Sequence, residues 1–216
     1  SASCNTLNNI PANYSGDEDN SLDIAVDTSG YPWISFDNNS SDHDLEVCHC
    51  NDSTCAGQNE TCTAVDTDGN AGNFSSIALD SSGNPIVAYY DYTNTDLNVA
   101  KYVGSGGTGC ASSAWTCTSS IDDGGRGASV ALLSNGIPVI AHHTDILTGW
   151  GASLEFCKCG NSSCSSGNTC GQIKDLGDHG GLTSLAIGKD DLPIIVDYNY
   201  SNADLYFYKC NDNACS

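Results

Sequence analysis

Residues 77–100 read IALDSSGNPIVAYYDYTNTDLNVA, two short apolar alternations on either side of a Gly and a Pro. The phrase returns three times: IAVDTSGYPWISFD and DLEV within 24–47, VALLSNGIPVIAHH and SLEF within 130–156, LAIGKDDLPIIVDY and DLYF within 185–207. Its proline falls at Pro32, Pro85, Pro138 and Pro193, at spacings of 53, 53 and 55 residues. A fixed period of this length is an internal repeat, which sets the architecture before any single motif does. The chain therefore reads as one domain over 1–216, with an N-terminal strand at 1–20 and repeats at about 21–74, 75–128, 129–182 and 183–216.

Within one repeat, Ile77–Asp80 predicts a first strand and Ser81–Asn84 a turn in which Gly83 takes positive φ. Pro85 opens the second strand, IVAYY, which is apolar on both faces as a strand buried between layers should be. Leu97 and Val99 share a face of the third strand, an alternation repeated at Leu45/Val47, Leu154/Phe156 and Leu205/Phe207. A fourth follows the distal cysteine, CTAV at 62–65, CTSSI at 117–121 and CGQI at 170–173. Four antiparallel strands per repeat is the blade of a β-propeller, so the expected fold is all-β and four-bladed. The last repeat stops at KCNDNACS, where its fourth strand should begin, while SASCNTLNNI at the start resembles that strand. The N-terminal strand is therefore expected to complete the fourth blade, either in cis as a clasp or in trans on a neighbouring molecule.

Composition narrows the function. Twenty-seven acidic and six basic residues leave a net charge of −21, which argues against nucleic acid as a partner, since phosphate binding needs Lys and Arg. No apolar run approaches the roughly 18 residues of a membrane span. SASCNTLNN has neither the charged nor the apolar region of a signal peptide, and the absence of Met fits a processed secreted form. Thirteen cysteines point to an oxidising, extracellular compartment. Sequons at Asn13, Asn38, Asn39, Asn51, Asn59, Asn73, Asn161 and Asn199 agree with that compartment.

The hexapeptides CNDSTC, CGNSSC and CNDNAC suggest local bridges Cys50–Cys55, Cys159–Cys164 and Cys210–Cys215. The outer cysteines of repeats one and three then pair as Cys48–Cys62 and Cys157–Cys170, and Cys110–Cys117 follows in repeat two. Cys4 is left as an odd thiol; a competing scheme joins Cys4 to Cys215 and strands Cys210. The cysteines occur as C-x-C and C-x4-C rather than CxxC pairs, so zinc is not expected.

Acidic loops follow the fourth strand of each repeat: Asp17, Glu18 and Asp19; Asp66 and Asp68; Asp122 and Asp123; Asp175 and Asp178. Gathered on one face of a propeller, they are candidates for Ca²⁺, although DTDGN at 66–70 lacks the spacing of an EF-hand. The second strands end in Phe36/Asp37, Tyr89/Tyr90, His142/His143 and Asp197/Tyr198, a set that would offer acid–base or metal chemistry if it converged. No G-x-S-x-G, HExxH or P-loop is present. Trp150, in the longer loop DILTGWGAS, is a candidate for stacking on sugars.

The hairpin with its D-x-x-G turn and the DL-x-V strand resemble the repeats of extracellular β-propellers of the Asp-box/BNR-like and NHL-like group. That resemblance implies the fold and no fixed chemistry. Pro-Ile stands where true Asp boxes carry Thr-Trp, and the single arginine, Arg126, excludes the three-arginine carboxylate grip of sialidases. The resulting expectation is a secreted, non-enzymatic structural protein, a surface or matrix component and fibre subunit joined through its N-terminal strand. A second reading is a Ca²⁺-dependent, lectin-like carbohydrate binder, and a third a hydrolase using His142, His143 and Asp197.

Overall fold

A computed structural model describes residues 22–38, 43–56, 60–144, 152–174, 179–199 and 202–216. Cys4, Asn13, Asp17, Glu18, Asp19, Asn39, Asn59, Trp150, Asp175 and Asp178 lie outside the described residues. All regular structure within them is β-strand, arranged in four antiparallel sheets, each made from one repeat. The first blade contains β1 (Leu22–Val26), β2 (Pro32–Asp37), β3 (Leu45–His49) and β4 (Thr61–Asp66). The second contains β5 (Ala71–Leu79), β6 (Pro85–Asp91), β7 (Asp96–Tyr102) and β8 (Trp115–Asp123). The third contains β9 (Arg126–Leu132), β10 (Pro138–His143), β11 (Leu154–Lys158) and β12 (Thr169–Lys174). The fourth has three described strands, β13 (His179–Ile187), β14 (Pro193–Asn199) and β15 (Asp204–Lys209).

The repeated hairpin turn has a local cause. Asp27 Oδ1 accepts from Ser29 N and Tyr31 N at 2.8 and 2.9 Å, and Asp80 Oδ1 accepts from Ser82 N and Asn84 N, both at 2.9 Å. Gly30, Gly83 and Gly136 turn the chain at φ near +80°. The fourth repeat has Asp191 at this point, at φ 60°, and its carboxylate accepts from Ser134 N and Oγ of the third blade at 2.7 and 2.8 Å. Strand β5 starts six residues before the predicted Ile77, because Gly72 and Phe74 adopt positive φ and shift the register without ending the pairing.

Blades pack through one repeated contact. Leu45 and Val47 lie against Ile77, Val87 and Tyr89; Leu97 and Val99 against Val130 and Ile140; Leu154 and Phe156 against Leu185 and Ile195. Beside each contact, a side-chain oxygen of one inner strand accepts a backbone N–H from the next. Asp23 Oδ2 takes Ile77 N at 2.9 Å, Ser76 Oγ takes Val130 N at 3.2 Å, and Ser129 Oγ takes Leu185 N at 3.0 Å.

The series stops at the fourth blade, where the equivalent Ser184 is exposed. Leu205 and Phe207 are 71% and 68% exposed, whereas their six counterparts in the other blades are at most 2% exposed. Leu22, Ile24 and Val26 on β1 are exposed as well. Among the described residues three blade boundaries are packed, those of β1 with β5, β5 with β9 and β9 with β13.

Among the described residues six disulfides staple the blades: Cys48–Cys62, Cys50–Cys55, Cys110–Cys117, Cys157–Cys170, Cys159–Cys164 and Cys210–Cys215. Cys48 with Cys62, and Cys157 with Cys170, are direct partners across neighbouring antiparallel strands, at Cα separations of 4.0 and 4.1 Å.

Candidate active site at the blade boundaries

The first two boundaries each bring together three positions: the acidic end of one blade's fourth strand, and a cross-strand pair from the second and third strands of the next blade. The cross-strand pairs are Tyr89 with Asn98, His142 with Glu155, and Asp197 with Tyr206. Directly opposed residues of an antiparallel pair share a face, so each pair points to the same side of its sheet.

Between blades one and two, Tyr89 donates its hydroxyl to Asp66 Oδ2 at 2.6 Å. Tyr89, Asn98 and Asp66 are buried. Burial, then the neighbouring Asp66 charge, pushes the Tyr89 hydroxyl well above its usual range, and burial raises the Asp66 carboxyl. This boundary is sealed.

Between blades two and three the same positions hold Asp122, His142 and Glu155. His142 is fully buried, with Nε2 3.3 Å from Asp122 Oδ2 and Nδ1 3.3 Å from the carbonyl of His143. The Asp122 side chain is 25% exposed and Glu155 is half-buried, so solvent reaches both carboxylates. Burial, then the negative charge of Asp122, raises the Glu155 carboxyl above its ordinary range. The floor of the site is the Cys157–Cys170 disulfide, with Cys157 Sγ 3.4 Å from Asp122 Oδ2 and 3.6 Å from His142 Nε2.

Between blades three and four, Asp197 Oδ1 lies 2.9 Å from His143 Nε2, both side chains at most 1% exposed. The His–His–Asp–Tyr set read from the second-strand ends is thereby divided. His142 and His143 are successive strand residues and point to opposite faces, so one meets Asp122 and the other Asp197. Asp197 and His143 form a buried pair.

The acidic loops are placed separately. Asp66 is held by Tyr89, Asp68 N donates to Asp66 Oδ1 at 3.2 Å, and Asp122 and Asp123 belong to another boundary. Asp122, Cys157 and Cys170 bring one potential ligand atom each within 4.8 Å of one another, but both sulfurs are committed to a disulfide, and no cofactor is established. Of the sequon residues, Asn38, Asn73 and Asn199 are buried, the last two within β5 and at the end of β14; Asn38 Nδ2 donates to Asp44 Oδ2 at 3.1 Å and Asn73 Nδ2 donates to Asn70. Asn51 is exposed and Asn161 half-buried. Arg126 lies over the ring of Phe74, its guanidinium carbon 5.6 Å from the centroid.

Glu155 is hidden in the sequence by the apolar alternation of Leu154 and Phe156, which lie on the other face of the same strand. The available signal was a Glu in the middle of both DLEV and SLEF, where the other two repeats have Asn98 and Tyr206.

No family model matches the chain, and no curated protein sequence matches it. Solved structures do. A β-1,3-galactosidase of glycoside hydrolase family 43, solved with galactodeoxynojirimycin, superposes with a TM-score of 0.54 at 7% identity, over 89% of this chain and 72% of that one. A thermostable family-43 glycoside hydrolase gives 0.52 at 7% identity, over 90% and 69%. At this identity the likeness shows the fold, that of a β-propeller, while the Asp-box/BNR-like and NHL-like repeats are not the families found.

The expectation of a non-enzymatic structural protein, a matrix component or filament subunit, is corrected at this point. The two superposed structures are glycoside hydrolases, not structural subunits. Asp122 and the pair His142 and Glu155 come from different repeats and meet only where blades pack, so no local motif marks them.

Proposed function

We propose that the protein is a glycoside hydrolase acting outside the cell, with Glu155 as general acid and Asp122 as the carboxylate that activates the attacking group. The observation that carries this reading is the pair of solvent-reached carboxylates flanking buried His142 at the boundary of blades two and three. Glycoside cleavage needs one carboxyl that holds its proton and one that stays ionised. Glu155 sits among apolar and acidic neighbours that favour its protonated form, and Asp122 has His142 beside it. Glu155 gives its proton to the leaving oxygen as the anomeric C–O bond breaks, while Asp122 takes a proton from the incoming water. The names of the superposed enzymes support a carbohydrate substrate, and a net charge of −21 disfavours polyanionic glycans, leaving neutral oligosaccharides. Six disulfides support an extracellular location.

Aryl glycosides of neutral sugars test the reading. Hydrolysis should fall by at least about a hundredfold in Glu155→Gln and in Asp122→Asn, in line with loss of a general acid or base, with the fold retained by circular dichroism. Wild-type rates in both variants would sink it.

The three-stranded fourth sheet supports a second proposal, that residues 1–20 supply its fourth strand. Removing residues 1–10 should lower the melting temperature, and adding those ten residues as a peptide should restore it.

A further inference from the structure

Cys157 and Cys170, closed as a disulfide, lie against Asp122 and His142, two side chains that ligate divalent metals well. The three distances among Cys157 Sγ, His142 Nε2 and Asp122 Oδ2 are 3.6, 3.3 and 3.4 Å. A tetrahedral ion with bonds of about 2.3 Å to sulfur and about 2.0–2.1 Å to nitrogen and oxygen separates its ligands by roughly 3.3–3.6 Å. Three corners of a zinc tetrahedron are therefore already at their spacing. Cys170, on the outer strand β12 and within 4.8 Å of the Asp122 and Cys157 ligand atoms, is the fourth once reduction frees its sulfur to move.

We propose that reduction of the Cys157–Cys170 disulfide opens a Zn²⁺ site made of Cys157, Cys170, His142 and Asp122, and that the disulfide is the gate of this site. The reductant is a dithiol. Its thiolate attacks Cys170 Sγ, the half-buried sulfur, and Cys157 leaves as a thiolate. The dithiol's second sulfur then closes on the first and frees Cys170. Two electrons pass to the protein disulfide and the dithiol ends as its own disulfide. Zn²⁺ displaces the thiol protons and binds two thiolates, one imidazole and one carboxylate, a combination of soft and borderline ligands that suits zinc over Ca²⁺. Zinc bound there engages Asp122 and His142 together.

The first blade supplies an internal control. Cys48–Cys62 has the same cross-strand placement, but it packs with Ile34 and Phe36, and Phe36 occupies the position of His142. It lacks the imidazole.

The test is Co²⁺ titration of the whole protein, after mild reduction with a dithiol and its anaerobic removal. Mass spectrometry of alkylated peptides should place the first two free thiols at Cys157 and Cys170. One equivalent of Co²⁺ should then give thiolate charge-transfer bands and tetrahedral d–d bands, both erased by Zn²⁺. His142→Gln and Asp122→Asn should each weaken Co²⁺ binding by at least about tenfold, as loss of a ligand or its support does. Cys48→Ser/Cys62→Ser should leave the bands in place, and Cys157→Ser/Cys170→Ser should abolish them. Bands in the oxidised protein, bands that survive Cys157→Ser/Cys170→Ser, or reduced protein that unfolds or gives no bands would each overturn the proposal. None of these readouts depends on glycoside hydrolysis.

Discussion

At the scale of single residues, two glycines of the second repeat make different demands. Gly83 has φ +80°, and an added Cβ would meet only Asp27 Cβ at 3.5 Å, so the cost of Gly83→Ala is conformational, about 1 kcal/mol. Gly72 has φ +120°, and its added Cβ would come within 2.8 Å of the Leu45 backbone in the preceding blade. Chemical denaturation should show Gly72→Ala losing clearly more stability than Gly83→Ala. Turn carboxylates set the response to acid. The Asp27 carboxyl is lowered by the backbone N–H of Tyr31 and by His49. Burial would raise that of Asp80, but Lys101 and the turn N–H groups outweigh it and lower it. A lowered carboxyl stabilises the fold above its unfolded value, about pH 3.9, and that contribution is lost as pH falls through the folded value. Unfolding midpoints should therefore drop below about pH 4, and drop less in Asp80→Asn, which has already lost the charge. Gly83 was legible as a turn residue from its D-x-x-G setting. The demand on Gly72 was not, because it comes from a strand of another blade.

At the scale of strands, position in the repeat decides how much a side chain contributes. Leu97 and Leu205 occupy the same place in β7 and β15, one fully buried at a blade boundary and the other 71% exposed. Leu97→Ala should cost about 2–5 kcal/mol and Leu205→Ala under about 0.5 kcal/mol, measured by equilibrium unfolding. The sequence displays both as the same leucine in the same alternation. Second and third strands were legible because proline, apolar runs and period-2 alternation all point one way there. The first strands were read short, since the bulge at Gly72 and Phe74 breaks the alternation while pairing continues. Glu155 was overlooked for a related reason: its partner Asp122 stands at the end of a strand in another repeat, and nothing within SLEF points to it.

At the scale of the whole molecule, the charge of −21 acts on every boundary at once. Self-repulsion opposes the compact state, and salt shortens its reach from about 30 Å at 0.01 M to about 8 Å at 0.15 M. The melting temperature should rise over that range of sodium chloride; a flat or falling response would place the repulsion elsewhere than in the folded state.

The three-position boundary also bears on how such a chain acquires chemistry. Apolar packing and the clamp from Asp23, Ser76 and Ser129 hold successive blades together, leaving the second-strand and third-strand residues beside a shared Asp to differ between the first two junctions. Two codons separate the sealed Asp66, Tyr89 and Asn98 of the first junction from the open Asp122, His142 and Glu155 of the second. Tyr89→His with Asn98→Glu would write the second set of side chains into the first junction, so one repeated scaffold can carry different constellations at its seams.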